Sequence, residues 1–182
     1  MCGIVGVGGL QDCADTLLDS LKRLEYRGYD SSGIVTQTAD GFAMNRSVGK
    51  LSALSATMRE TPLAGRSGLG HTRWATHGGV SERNAHPHVA GDKMAIVHNG
   101  IIENHVALRD ELRAAGHEFA SETDSEVLAH LFLVAFDQGM SAQEAGATVL
   151  SQIEGTFALA AMHVDHPDLR IVARNAPPLA VG

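Results

Sequence analysis

Residues 2–8 read Cys-Gly-Ile-Val-Gly-Val-Gly, a short uncharged apolar run carrying three glycines. Such a run reads as a buried strand. It therefore commits the first residues of the chain to the core, and the rest of the chain has to cover them. Residues 13–25 place Ala14, Leu17, Leu18, Leu21 and Leu24 at helical spacing, with Gly28 just beyond. That spacing predicts an amphipathic helix that supplies the cover.

Strands and helices then follow in mixed order. Residues 31–38 and 42–48 read as strands joined by a turn at Asp40-Gly41, a favoured hairpin dipeptide. A short helix is expected over 50–59 and a strand over 67–75. Residues 76–92 are rich in Gly, His and Pro and read as one long loop. A strand over 93–98 is expected to end at the turn signal Asn99-Gly100, and a helix over 104–115 to stop at Gly116. Thr123-Asp124-Ser125-Glu126 has the capping-box pattern and predicts a helix over 124–138. A helix over 142–152 and strands over 155–163 and 169–174 complete the chain. The class is α+β; the pattern by itself leaves the stacking of the layers open.

Composition narrows the function. With 44% hydrophobic and 19% charged residues, a chain of 182 residues can bury one real core. Aromatics are 4%, so aliphatic side chains must fill it. A formal charge of −7 argues against a basic face for nucleic acid. No apolar run reaches the ~18 residues of a membrane span, and the start lacks a basic, then apolar, secretory signal. Two cysteines make no disulfide framework, and a reducing, cytoplasmic setting is expected. The chain stops in apolar residues just after a strand, as the first domain of a longer protein would.

Cys2 follows the initiator methionine directly. If Met1 is removed, the mature chain begins with a cysteine that carries both a thiol and a free α-amine. Both have reference pKa values near ~8, so one residue can supply nucleophile and base. The alternative is an inert buried cysteine.

Six stretches, taken together, carry a resemblance. They are Met1-Cys2-Gly3-Ile4-Val5-Gly6, Arg27-Gly28-Tyr29-Asp30-Ser31 and His71-Thr72-Arg73-Trp74-Ala75-Thr76-His77-Gly78. Asn84-Ala85-His86-Pro87-His88, His98-Asn99-Gly100-Ile101-Ile102-Glu103-Asn104 and Ser121-Glu122-Thr123-Asp124 complete the set. In order and spacing they resemble the class II, N-terminal nucleophile glutamine amidotransferases over the whole chain, residues 1–182. The run Leu24-Glu25-Tyr26-Arg27-Gly28-Tyr29-Asp30 is similar to the branch that makes glucosamine 6-phosphate; the phosphoribosylamine branch usually has Gln where Tyr29 stands.

The resemblance implies a four-layer α/β/β/α sandwich of mainly antiparallel sheets. It implies hydrolysis of the L-glutamine side-chain amide by Cys2 without a cofactor, and C-terminal isomerase domains that use the ammonia. Asn99 and Gly100 would form the oxyanion hole, although Asn-Gly is also a plain hairpin turn. Arg73 would hold the α-carboxylate and Asp124 the α-ammonium, with Thr76 and His77 in a loop that closes over glutamine. Trp74 would belong to that loop and help gate an ammonia path, or be simple core. Arg27 would orient the N-terminus or pair with Asp30. His86 would lie near the site without binding metal. His86 and His88 share a face of an extended segment, yet neither HExxH nor CxxC is present to make a metal site.

Three departures from the family pattern stand out. Val80 replaces a usual Pro, which with Gly79 should loosen the closing loop. Ser32 replaces an Ala. Ala176-Pro177-Pro178 replaces a Gly-Ser-Pro type of turn, in a place expected to be remote from the chemistry. The competing readings are a phosphoribosylamine-type amidotransferase, a non-enzymatic amino-acid-binding module and a zinc protein. The isolated domain is expected to be a monomer.

Overall fold

The computed structural model describes residues 2–182. Among the described residues, eight strands form two four-stranded sheets in which every neighbouring pair is antiparallel. The first sheet has the order β1-β4-β2-β3, from β1 (Gly3–Gly8), β2 (Ser31–Thr38), β3 (Gly41–Val48) and β4 (Ser67–Arg73). The second runs β5-β6-β7-β8, from β5 (His88–Ala90), β6 (Met94–Ile102), β7 (Gly155–His163) and β8 (Ile171–Asn175).

Strand alternation decides the layers. In β2, Ile34 faces the helices α1 (Ala14–Leu24) and α2 (Leu51–Glu60), joining Leu17, Leu21 and Leu54 in one fully buried cluster. Its neighbour Val35 faces the other sheet. There it meets Leu69, Ala95, Val97, Ala160 and Met162 in a thin layer of mostly small side chains. In β6, Met94 and Ile96 face the far side, against helices α4 (Glu126–Asp137) and α5 (Ala142–Gln152) with Phe132 and Leu159. The helix α3 (His105–Ala114) adds Leu108 and Leu112 to that cluster. The result is four layers, helix, sheet, sheet and helix, as the resemblance implied. No helix among the described residues is long and apolar enough to cross a membrane.

Three local expectations are corrected, and of the two readings of Trp74 one is set aside. The expected long loop 76–92 contains β5, a three-residue strand on the edge of the second sheet. The strand expected to stop at His98 runs on to Ile102, so Asn99-Gly100 is not a hairpin turn but part of β6, opposite Ala158 and Phe157. Gly100 has φ +142, and a Cβ there would lie 1.9 Å from the Thr156 carbonyl oxygen. Glycine is therefore required by the close approach of β7, not by a turn. The capping box expected at Thr123–Glu126 does not form. Helix α4 starts at Glu126, and Ser125 ahead of it makes no side-chain cap. The box that does form lies at Ser141 and Glu144. Trp74, finally, is not core: it is half exposed, edge-on to Tyr29.

Candidate active site

Cys2 sits just ahead of β1. Gly3 N donates to Thr72 Oγ1 (3.2 Å), and a Cβ at Gly3 would meet Thr72 and Leu24 under 3.0 Å. The residue after Cys2 thus packs without a side chain against the end of α1. The Cys2 carbonyl is held from two sides, by Arg27 Nε (3.2 Å) and by Asn99 Nδ2 (3.0 Å). The Asn99 bond crosses from one sheet to the other. The Trp74 backbone N–H donates to Cys2 Sγ (3.2 Å). Asp30 fixes that turn by accepting from Ala75 N and from Ser31 Oγ. Burial pushes the thiol above its ordinary pKa, with the Asp30 charge adding to it and the Trp74 hydrogen bond and Arg73 opposing.

A cavity of about 350 Å³ opens beside Cys2. Its lining includes all ten residues singled out from sequence: Cys2, Arg27, Arg73, Trp74, Thr76, His77, His86, Asn99, Gly100 and Asp124. Sequence reading did not single out His98, Ile101, Thr123, Ser125 and Thr156, which complete the wall with two prolines. It also misplaced Pro177 and Pro178, which line the cavity rather than lying remote from it. A larger cleft, about 890 Å³, lies at the other end of β1 around Gly8, Arg66 and Arg170, away from Cys2.

The charged groups of the cavity are not equally available. Asp124 is buried, and its Oδ2 accepts from Ile102 N (2.8 Å). Its Oδ1 faces His77 Nδ1 at 4.0 Å and Ser125 Oγ at 3.5 Å. One carboxylate oxygen is thus committed to the backbone and the other is only loosely engaged. The Arg73 guanidinium is buried and donates to the carbonyls of His77 (2.5 Å), Gly78 (3.1 Å) and Gly79 (3.2 Å). It therefore clasps the glycine loop at the cavity edge. Asn84 Nδ2 also donates to the Gly79 carbonyl (3.0 Å), so the loop expected to be loose is tied at Gly79, while Val80 is exposed. Arg27 lies on the Cys2 carbonyl, and the Asp30 carboxylate accepts from Ser31 Oγ and Ala75 N.

Beneath the cavity a set of buried histidines joins the sheets. His71 Nε2 contacts the His98 carbonyl (2.9 Å), which fixes the proton on His71 Nε2. The His98 N–H donates to His86 Nδ1 (3.2 Å), so His86 carries its proton on Nε2. The His71 and His86 rings stack at 4.1 Å. Among the described residues no group of three His, Cys, Asp or Glu side chains is arranged to hold a metal ion.

A model of the glutamine amidotransferase domain matches residues 71–179. The chain belongs to the glutamine amidotransferase family. It is 51% identical over 182 residues to glutamine–fructose-6-phosphate aminotransferase (isomerizing) of Rhizobium meliloti and 53% identical to that of Mesorhizobium japonicum. The Thermus thermophilus enzyme of the same name is 48% identical over 183 residues. In each case the match covers 100% of this chain and 30% of the relative. The chain thus spans under a third of the length of these relatives. Among solved structures, the allosteric regulatory enzyme of purine biosynthesis superposes with a TM-score of 0.82 at 24% identity, covering 96% of this chain and 37% of that one. The glutamine phosphoribosylpyrophosphate amidotransferase of B. subtilis superposes at 0.76 and 23%, covering 90% and 35%. These two show the shared fold.

The buried histidines give this amidotransferase domain a pH signature. Burial pushes His71 and His88 down to about 3 and His98 to about 4, from an ordinary 6.5. Asp124 resists the shift at His98, and Glu126 resists it at His88. Between these values and 6.5 the unfolded chain binds more protons than the folded one. Stability is therefore complete above pH 6.5 and is lost as pH falls toward 4 and 3. One such histidine removes about 2 kcal/mol by pH 5. Thermal melts from pH 7 to pH 4 should show a progressive fall in Tm; a flat profile would mean that these rings are not buried neutral.

Proposed function

We propose that residues 1–182 form a glutaminase domain that hydrolyses the side-chain amide of L-glutamine to glutamate and ammonia. The reading is carried by one observation. Cys2 Sγ, a pair of donors at Asn99 and Gly100, a guanidinium and a half-committed carboxylate line the same cavity. An α-amino acid with a side-chain amide meets complementary groups there at both ends.

In this reading Asp124 Oδ1 accepts from the α-ammonium, and Arg73, with Thr76 and His77, holds the α-carboxylate. The carboxylate then shares the guanidinium with the loop carbonyls that already occupy it. The α-amine of Cys2 takes the thiol proton, and the sulfur attacks the amide carbon, forming a C–S bond as the C=O π electrons move to oxygen. The oxyanion is held by the second N–H of Asn99 Nδ2 and by Gly100 N. The α-amine of Cys2 returns a proton to the amide nitrogen, the C–N bond breaks and ammonia leaves. Water, deprotonated by the same amine, attacks the thioester, the C–S bond breaks and glutamate is released. Arg27 keeps the Cys2 backbone in place, Trp74 borders the path by which ammonia leaves, and His86 supports the floor.

In the whole protein, the length beyond this chain would supply isomerase domains that use the ammonia to convert fructose 6-phosphate to glucosamine 6-phosphate in the cytoplasm. Similarity to the aminotransferases over the full chain favours this acceptor over the phosphoribosyl one.

The scheme requires removal of Met1, which lies outside the described residues. Glutamate release should be measured for chain whose mass shows Met1 gone and for chain carrying a residue before Cys2. Release by the first alone is expected. Equal release by both would overturn the role of the α-amine, and release by neither would overturn the glutaminase reading.

A further inference from the structure

Asp124 gains its position from a segment with no regular structure, residues 120–125, between α3 and α4. Two buried charged side chains grip this segment from opposite sides. Glu126, at the start of α4, accepts from Ala120 N (2.8 Å), Ser121 N (2.7 Å) and Ser121 Oγ (2.6 Å). Arg109, on α3, donates to the Ser121 carbonyl (2.8 Å) and to the Thr123 carbonyl. Its guanidinium lies 4.5 Å over the Phe119 ring. The backbone of Ser121 thus bridges a carboxylate on its N–H side and a guanidinium on its C=O side. Thr123 Oγ1 adds bonds to Ser121 Oγ (3.0 Å) and His88 Nε2 (2.9 Å).

A grip of this kind is more than a loop needs to stay folded. Charge-assisted hydrogen bonds are the stronger class, and burying two ionised groups is costly unless each is satisfied. Here both direct hydrogen bonds to the segment within four residues of Asp124, Arg109 to two carbonyls and Glu126 to two backbone N–H groups and the Ser121 hydroxyl. What they fix is the direction of the Asp124 carboxylate, whose Oδ2 meets Ile102 N while Oδ1 stays toward the cavity.

We propose that Arg109 and Glu126 are positioning residues that make the site selective for a ligand with an α-ammonium group. The proposal rests on the assignment of Asp124 to that ammonium. A merely structural lesion weakens every ligand of the cavity alike. Loss of Asp124 aim weakens L-glutamine and leaves untouched its deaminated analogue, 4-carbamoylbutanoate, which keeps the carboxylate and the amide.

The test is calorimetric binding of both compounds to the chain carrying Cys2→Ala, which prevents turnover. To this background Arg109→Lys, Ser121→Ala and Asp124→Asn are added one at a time. Arg109→Lys keeps the charge and loses the fork. Ser121→Ala removes one hydroxyl and leaves the backbone donors, so it gives a reading where the first variant fails to fold. Asp124→Asn should erase the preference for L-glutamine over the analogue. Arg109→Lys or Ser121→Ala should reduce that preference by ~10-fold, with the analogue's affinity held within about twofold. If Asp124→Asn erases the preference and the other two leave it intact, or weaken both ligands in proportion, the clamp is overturned. If Asp124→Asn itself leaves the preference intact, the assignment of Asp124 has failed instead, and the selectivity role of the clamp falls with it.

Discussion

Cys2→Ala is expected to bring glutamate release down to background, a loss of ~10³-fold or more, with the fold retained. In the proposed scheme the Cys2 thiol forms the thioester, and it is the one thiol among the residues lining the cavity. In that scheme Asn99 and Gly100 hold the oxyanion and form no covalent bond to the substrate. The Ala variant keeps the Cys2 carbonyl, and with it the bonds from Arg27 and Asn99. What it loses in packing is one half-buried sulfur with a single backbone donor. The melting temperature should therefore stay within a few degrees of the parent. Release that survives Cys2→Ala would remove Cys2 from the chemistry altogether.

The second large effect is expected at Gly100. An alanine Cβ would stand 1.9 Å from the Thr156 oxygen and 2.8 Å from its carbon, both of them backbone of β7. No side-chain rotation relieves a clash with backbone, so β6 and β7 must part. With φ at +142 adding strain, the variant should lose ~3 kcal/mol or more, a fall of ~10 °C in a domain of this size. Glutamine turnover should fall with it, because the shift carries the Gly100 N–H away from Cys2. Gly116→Ala is a fitting comparison. Its φ of +94 is also positive, but nothing lies within 4 Å of a Cβ there, and about 1 kcal/mol is expected. Equal unfolding midpoints for the two variants would mean that β7 does not approach as closely as described.

The contrast between these glycines also explains what the sequence could and could not disclose. Gly116 ends a helix, a local event, and its spacing after Leu112 made it legible. Gly100 is dictated by a strand 56 residues later, since it lies beside Thr156. Read locally, Asn99-Gly100 is a turn. The same limit applies to Thr123–Glu126, where the pattern fits a cap but the Glu126 carboxylate reaches back to Ala120 and Ser121. Helix α1, the β2–β3 hairpin and α5 were legible because period and punctuation lie within a dozen residues, although the hairpin turns one residue earlier than expected, at Ala39-Asp40. The residues of the cavity could be named because six motifs keep family order. Their convergence could not be read, since it depends on how one sheet lies on the other. Pro177 and Pro178 fell outside every motif and were misplaced for that reason.

Cys2 leads directly into the sheet that carries Arg73, while Asn99 and Gly100 belong to the other. The parts of the site are thus mounted on two separate plates. Between the plates lie Val35, Leu69, Ala95, Val97, Ala160 and Met162, and the cross-plate fastenings include Asn99 to Cys2 and His71 to His98. In the proposed scheme, alignment of nucleophile and oxyanion donors then depends on how one sheet sits on the other. A methyl group added at Ala95 or Ala160, both buried between the plates and outside the cavity lining, is expected to act as a shim that retunes the distance from sulfur to donor.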